Sequence, residues 1–261
     1  MKQHTSPIII KRDEIRIFEK ISLKSKSYNE KWIQDICYRY PNTLPVDEIE
    51  PTFGGLIPIC QELSTKSGFI DLVYVNESGF ITIGECKLWR NPEARRKVVG
   101  QLLDYAKDLS MWDYSKFDSE CLKARGHNTG SLYQIVQELY PETEEAVFVD
   151  SVQLNLRKGR FLLAVIGDGI RENMEELADF IHRNGNLNFT LGLFELPIYK
   201  NPFEDELIIT PRVLAKTKEI ERVVYKFSES ISEGEIDEKM QGKVSQSISE
   251  KVYYERLERA I

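Results

Sequence analysis

The pattern of apolar and polar positions is clearest in the first half of the chain. Residues 69–75 and 80–88 are rich in β-branched and aromatic side chains, and Asn76-Glu77-Ser78-Gly79 lies between them. That arrangement predicts two strands joined as a hairpin. Upstream, Ile33, Ile36, Cys37 and Tyr40 recur at i, i+3, i+4 and i+7, the period of an amphipathic helix over 27–40, and Pro41 stops it. Residues 1–26 mix isoleucine with lysine and read as a strand or short arm. A loop-rich stretch from 45 to 58 precedes a strand near 56–63.

Downstream, Asn91-Pro92 supplies a cap and a first helical residue for a helix reaching about Met111, with Val98, Leu102, Leu103, Ala106 and Leu109 as its apolar face. Residues 113–158 predict three further helices, near 116–125, 131–139 and 143–158, read together as a helical insertion. Residues 161–166 form a continuous apolar run, as in a strand buried on both faces. Gly167-Asp168-Gly169 is a strand-to-helix turn, where Asp168 reads as a helix cap and the alternative is backbone amides that meet a phosphate. A helix over 170–183 and a strand over 190–199 follow. After Pro211 the chain becomes charged and reads as helical, a tail or linker over 212–261 that leads toward a further module. These boundaries divide the chain into an arm (1–26), a main domain (27–211) and a tail (212–261).

Composition narrows the class. Apolar residues at 41% and charged residues at 30% suit a water-soluble globular chain, and no apolar run reaches the ~18 residues of a membrane span. A cytoplasmic setting is the expectation. The four cysteines, Cys37, Cys60, Cys86 and Cys121, have no C-x-x-C spacing, and there are only three histidines, which argues against a zinc or iron–sulfur site. The formal net charge of -7 gives no general support for nucleic-acid binding. Between Glu85 and Lys107, however, six Lys/Arg stand against three Asp/Glu, so this segment is locally basic.

The hairpin turn has chemical consequences. A three-residue loop with Gly79 in the left-handed position pairs Val75 with Ile81, Val73 with Ile83, and Asp71 with Glu85. Asp71, Glu85 and Lys87 then share one sheet face, at the end of an apolar stripe. Directly opposed residues place their Cβ atoms about 4.5–5.5 Å apart. Two carboxylates that close resist joint ionisation unless a cation lies between them. Oxygen ligands of this kind suit Mg²⁺ or Mn²⁺. On the helix that follows, Gln101 and Tyr105 are four residues apart on one face, with Lys97 a turn earlier. Arg90, Arg95, Arg96 and Lys97 cluster at its start and read either as phosphate contacts or as a solvated charge run.

In this order, Ile70-Asp71, Glu85-Cys86-Lys87 and Gln101-Leu102-Leu103-Asp104-Tyr105 resemble the motifs of the PD-(D/E)xK nuclease superfamily, specifically its RecB-like branch with a Q-x-x-x-Y motif; residues 68–105 are similar to the catalytic half of NucS-like and other bacterial members. Isoleucine stands at position 70 where the family name has proline. The resemblance spans about residues 27–200. It implies an α/β restriction-endonuclease-like core, a mixed central sheet flanked by helices, and metal-dependent DNA cleavage. On this reading Asp71 and Glu85 hold Mg²⁺ or Mn²⁺, with the Cys86 carbonyl as a further ligand. Lys87 assists the attacking water, and Gln101 and Tyr105 position backbone or water. The resemblance also places a glutamate on the first helix. Glu30 is the candidate, and Ser27-Tyr28-Asn29-Glu30 equally fits a capping box in which Glu30 bonds back to Ser27. DNA is the expected partner, and pairing of two copies is an open second one. The alternatives are a non-catalytic DNA-binding or interaction module on the same fold, and a purely structural interaction protein.

Overall fold

The computed structural model describes residues 6–11, 14–21, 28–88, 94–127, 129–169, 188–203 and 205–216. The predicted helix over 170–183, the start of the helix at Asn91-Pro92 and the tail beyond 216 lie outside these residues.

Within them the protein is mixed α/β. Strands β1 (Ile8–Lys11) and β2 (Glu14–Ile17) form an antiparallel hairpin of their own, and β3 (Glu19–Lys20) follows. Helix α1 (Glu30–Arg39) starts at Asn29, whose side chain accepts the Trp32 N–H, and ends before Pro41. Three short 3-10 turns, Pro41–Thr43, Val46–Glu48 and Pro51–Phe53, lead into β4 (Ile57–Thr65), β5 (Gly68–Val75) and β6 (Ile81–Lys87), an antiparallel meander. Four helices follow: α2 (Ala94–Ser110), α3 (Tyr114–Ala124), α4 (Leu132–Leu139) and α5 (Glu145–Lys158). Strand β7 (Phe161–Gly167) then runs parallel to β6, and β8 (Thr190–Glu195) parallel to β7. Strands β9 (Ile198–Lys200), β10 (Leu207–Ile209) and β11 (Arg212–Lys216) close the described chain.

The main sheet has six strands in the order β11-β8-β7-β6-β5-β4, and β10-β9-β3 form a small separate sheet. Every residue of β7 is buried, as its unbroken apolar run predicts for a strand covered on both faces. Two core clusters lie against the main sheet. One gathers Val73, Val75, Ile81, Ile83, Leu163 and Val165 with α2–α5; the other gathers Leu72, Tyr74, Cys86, Ala164 and Ile166 with α1. From Leu72 to Val75 on β5, and along β6, odd and even apolar residues separate into these clusters as a period of two requires.

Three sequence expectations are corrected. Strand β11 occupies residues read as the start of a helical tail: Arg212 pairs with Glu195 on β8, and the partly buried Val213 and Leu214 flank the sheet's two sides. Antiparallel pairing to a sheet edge is non-local and has no helical or turn signature. The 190–199 strand is two strands in different sheets, divided at Leu196 and Pro197. Leu103 is exposed rather than on the inner face of α2, where Val98, Val99, Leu102, Ala106 and Leu109 pack instead.

Helices α3–α5 are not peripheral. Phe117, Cys121, Leu132, Val136, Phe148, Val152 and Leu156 all belong to the cluster that covers the α2 side of the sheet. Helix α5 also braces the β5–β6 turn. Asn155 Nδ2 donates to the Gly79 carbonyl at 2.9 Å, and a Cβ on Gly79, whose φ is +78°, would lie 2.8 Å from the Ser151 Cβ. Position 79 therefore needs glycine twice, for its conformation and for the contact.

Candidate active site

The observed β5–β6 register is the one the turn predicts: Val75 opposite Ile81 and Val73 opposite Ile83, with the Asn76 N–H donating to the Phe80 carbonyl at 3.1 Å. Regular pairing ends at Leu72 opposite Gly84. One step further, the Cys86 N–H donates to Asp71 Oδ2 at 2.7 Å. The strands part here, and a carboxylate replaces a backbone carbonyl as acceptor.

Asp71 is released on its other side as well. The β4–β5 ladder is regular at Gln61 opposite Leu72 and resumes at Leu63 opposite Ile70. Between them Glu62 has φ +55°, the one positive-φ residue other than glycine among the described residues. This kink inverts the alternation: Cys60 and Leu63, three apart, join the same core cluster, as do Ile70 and Val73. Gln34 on α1 bridges the gap. Its Nε2 donates to the Asp71 carbonyl at 2.6 Å and to Glu62 Oε1 at 2.8 Å. A left-handed conformation costs a non-glycine residue on the order of 1 kcal/mol or more. Glu62→Gly relieves that backbone cost but removes an acceptor of Gln34 Nε2 and loosens the unfolded chain, so its stability is expected within about 1 kcal/mol of the parent, read from the urea midpoint at unchanged m-value.

Glu85 is the most enclosed acid of the group, its side chain 3% exposed. Lys87 Nζ lies 2.9 Å from Glu85 Oε1, while Glu85 Oε2 is buried with no hydrogen-bond partner among the described residues. Burial first, and then the neighbouring Asp71 charge, push the Glu85 carboxyl up to about 7. Burial likewise raises Asp71 to about 6, against the opposing pull of the Cys86 N–H and Lys87. Burial works against the Lys87 ammonium, but the hydrogen bond to Glu85 and the surrounding carboxylates outweigh it and raise Lys87 to about 12. Lys87 is thus a fixed cation across the neutral range, a donor rather than a base.

Glu30 reaches the same place from α1. Its Oε1 accepts the Leu88 N–H at 3.0 Å and its Oε2 lies 3.7 Å from Lys87 Nζ. The side chain is 46% exposed, so Glu30 is not the buried acid that its helical stripe suggests. The capping-box reading is corrected too: Asn29 is the cap, Glu30 is the first helical residue, and its carboxylate is spent on β6.

Tyr105 is buried at 3% exposure and its hydroxyl lies near Gly68, where an added Cβ would be 3.2 Å from it. Burial and the nearby Glu85 charge raise its pKa, with the Gln101 side-chain hydrogen bond opposing them. Tyr105 thus lies within electrostatic reach of Glu85 and Asp71, with Gln101 hydrogen-bonded to it. The Cys86 thiol points away, into the α1 core, and burial pushes it well above the usual thiol range. Of the suggested phosphate-binding residues, Lys97 is exposed on α2. Arg95 and Arg96 lie on the same helix with side chains outside the description, and Arg90 lies outside the described residues.

No family model, no curated protein and no solved structure matches this chain. Among the described residues, no three Asp, Glu, His or Cys side chains are grouped as a ready-made metal set. The acids that converge are Asp71 and Glu85, with Glu30 and Glu62 at the margin and the Lys87 ammonium among them.

Two participants escape a reading of the sequence alone, Gln34 and Glu62. Gln34 has a legible signal, since it lies four residues after Glu30 and so on the same helix face. Glu62 has one only after the second hairpin is counted: Thr65 opposite Gly68 places residue 62 across from residue 71. Asp168, read as a cap, is buried and accepts the Tyr28 hydroxyl at 2.9 Å; the helix it was to cap lies outside the described residues.

Proposed function

We propose that the protein is a Mg²⁺- or Mn²⁺-dependent DNA endonuclease on a restriction-endonuclease-like core. The observation that carries the reading is Glu85 Oε2, a buried carboxylate oxygen without a partner, beside a second acid whose pKa is also raised. Leaving such an oxygen unsatisfied costs roughly 1–3 kcal/mol or more. A small divalent cation would satisfy it, and two carboxylates plus water and phosphate oxygens are donors that Mg²⁺ accepts. Element order supports the fold assignment: a helix, a three-strand meander with Asp71 in the first half of its second strand and Glu85 near the end of its third, four helices, and a strand parallel to the third. In open α/β sheets ligands bind at the carboxyl ends of parallel strands, where Glu85 and Lys87 stand on β6.

Asp71 and Glu85 would hold the metal, with Glu30 able to join by leaving the Leu88 N–H. A bound metal supplies a lowered pKa for its water and a counter-charge for the phosphate in the transition state. Lys87, protonated, donates to the attacking water or to a non-bridging phosphate oxygen, where its charge offsets the charge that develops in the transition state. Gln101 fixes the Tyr105 hydroxyl, and that hydroxyl can donate to the phosphate on the Gly68 side. The locally basic segment 85–107 supplies phosphate contacts against an overall acidic surface.

The test is cleavage by the purified full chain, with Mg²⁺ or Mn²⁺, of supercoiled plasmid, single-stranded, branched and mismatched DNA. Cleavage is expected with either ion, and Asp71→Asn should lower it by at least 10³-fold with the fold intact by circular dichroism. Absence of cleavage on every substrate, together with no metal-linked rise in Tm, would overturn the proposal.

A further inference from the structure

Asp71 stands outside the ladders on both of its sides. The register with β4 passes from Gln61 opposite Leu72 to Leu63 opposite Ile70, and the register with β6 ends at Leu72 opposite Gly84. Side chains of a regular strand stand perpendicular to the sheet, whereas its main-chain N–H groups lie in the sheet plane. The Cys86 N–H donates to Asp71 Oδ2 at 2.7 Å, so the Asp71 carboxylate has turned into that plane, toward β6. The main chain at residue 71 must be held for this, and neither ladder holds it.

We propose that Gln34 is a positioning residue: by holding the Asp71 main chain it aims the Asp71 carboxylate toward β6 for metal binding. The use of that carboxylate rests on the proposed function; the positioning itself rests on geometry. Gln34 is 3% exposed, and a buried amide is costly unless its donors are used. Its Nε2 carries two N–H groups and meets two acceptors, the Asp71 carbonyl at 2.6 Å and Glu62 Oε1 at 2.8 Å. Glu62, at φ +55°, is the residue across the break from Asp71. One side chain from α1 therefore ties both edges of the gap.

The residue type fits the task. Methionine would fill the same space and donate nothing. Glutamate would set a further negative charge against Glu62 and the Asp71 carbonyl. Lysine would donate, but its charge would oppose a cation at the acids. Glutamine donates twice and adds no net charge, so the negative potential of Asp71 and Glu85 stays available to a metal. Loss of a group that orients a metal's ligand lowers metal affinity roughly 10–100-fold.

Two readouts on the full chain test this, neither of them cleavage. The first is the Cys86 amide proton by NMR without metal: its short bond to a carboxylate places it downfield, and Gln34→Met should move it upfield. The second is Mn²⁺ affinity by calorimetry, which Gln34→Met should weaken about tenfold or more. Gln34→Glu has the same length and lacks both donors, so it should act in the same direction and serves if the methionine variant does not fold. Tyr38→Phe is the control. Tyr38 ties the same helix to the same strand through the Ile59 carbonyl at 3.1 Å, so its loss should leave both readouts unchanged. A Cys86 amide or a Mn²⁺ affinity that stays at the wild-type value in the Gln34 variants overturns the proposal, as does an equal change in Tyr38→Phe. A wild-type chain that binds no Mn²⁺ overturns the proposed function instead, and the metal-free Cys86 amide still decides whether Gln34 holds the Asp71 carboxylate.

Discussion

Glu85→Gln is expected to make the metal-free protein more stable at pH 8 by about 2 kcal/mol while removing DNA cleavage. The wild-type carboxyl has its pKa raised from 4.5 to about 7 by burial and by Asp71. A raised carboxyl pKa means that the folded chain binds the proton more tightly than the unfolded chain, so stability falls as pH rises from about 4.5 to about 7. Above that window the full cost of a buried, incompletely paired carboxylate is present. Glutamine has the same shape and no charge, so the gain should be present at pH 8 and absent near pH 5, where Glu85 is already protonated in the folded wild type. Asp71, raised from 3.8 to about 6, adds a second slope of the same sign at lower pH. Urea titrations of both proteins at the two pH values measure the difference directly.

The same substitution should abolish the response to metal. Wild-type Tm at pH 8 should rise with Mn²⁺, since a ligand that binds only the folded state stabilises it by mass action. The variant, lacking one of the two acids, should show little or no rise. Loss of stability on Glu85→Gln at pH 8 would instead make Glu85 a structural partner of Lys87, and the functional reading of the buried oxygen would fall. Opposite signs for stability and activity are the mark of a site held against its own electrostatics.

Lys87→Met is expected to lower both. On the proposed function, cleavage should drop by 10³-fold or more, because the donor proposed for the reacting phosphate is lost. Stability at pH 8 should fall by about 2–3 kcal/mol, because Glu85 and Glu30 lose the cation they share. Near pH 5 the stability loss should shrink, since protonation neutralises Glu85 without help from the lysine. Added Mn²⁺ should also restore part of it at pH 8, as one cation substitutes for another. A stability loss that is equal at both pH values would point to packing of the lysine stem rather than to its charge.

Much of the site was legible from residue types and one turn. Asn76-Glu77-Ser78-Gly79 fixes the β5–β6 register because only a left-handed residue at position 79 closes a three-residue loop, and that register brings Asp71 toward Glu85 and Lys87. Helical spacing placed Gln101 and Tyr105 together, and tertiary packing brought Tyr105 within electrostatic reach of the acids. Glu30 was legible as a candidate but not in its state. Burial was expected from its stripe, whereas the position of α1 over the end of β6 leaves it half exposed and bonded to the Leu88 N–H.

Sequence by itself determined the local elements, because hydrophobic period, caps and turn residues act over a few positions. It determined the α1 stripe, the meander, helices α3–α5 and the buried β7, along with the acids and the lysine that define the candidate chemistry. Tertiary structure alone decided what depends on distant partners. It put β11 beside β8, made α3–α5 part of the core, placed Gln34 and the kinked Glu62 against Asp71, and left one oxygen of Glu85 without a partner. Desolvation is a sum over every neighbour that excludes water, so the raised pKa values of Asp71 and Glu85 exist only once the chain has folded.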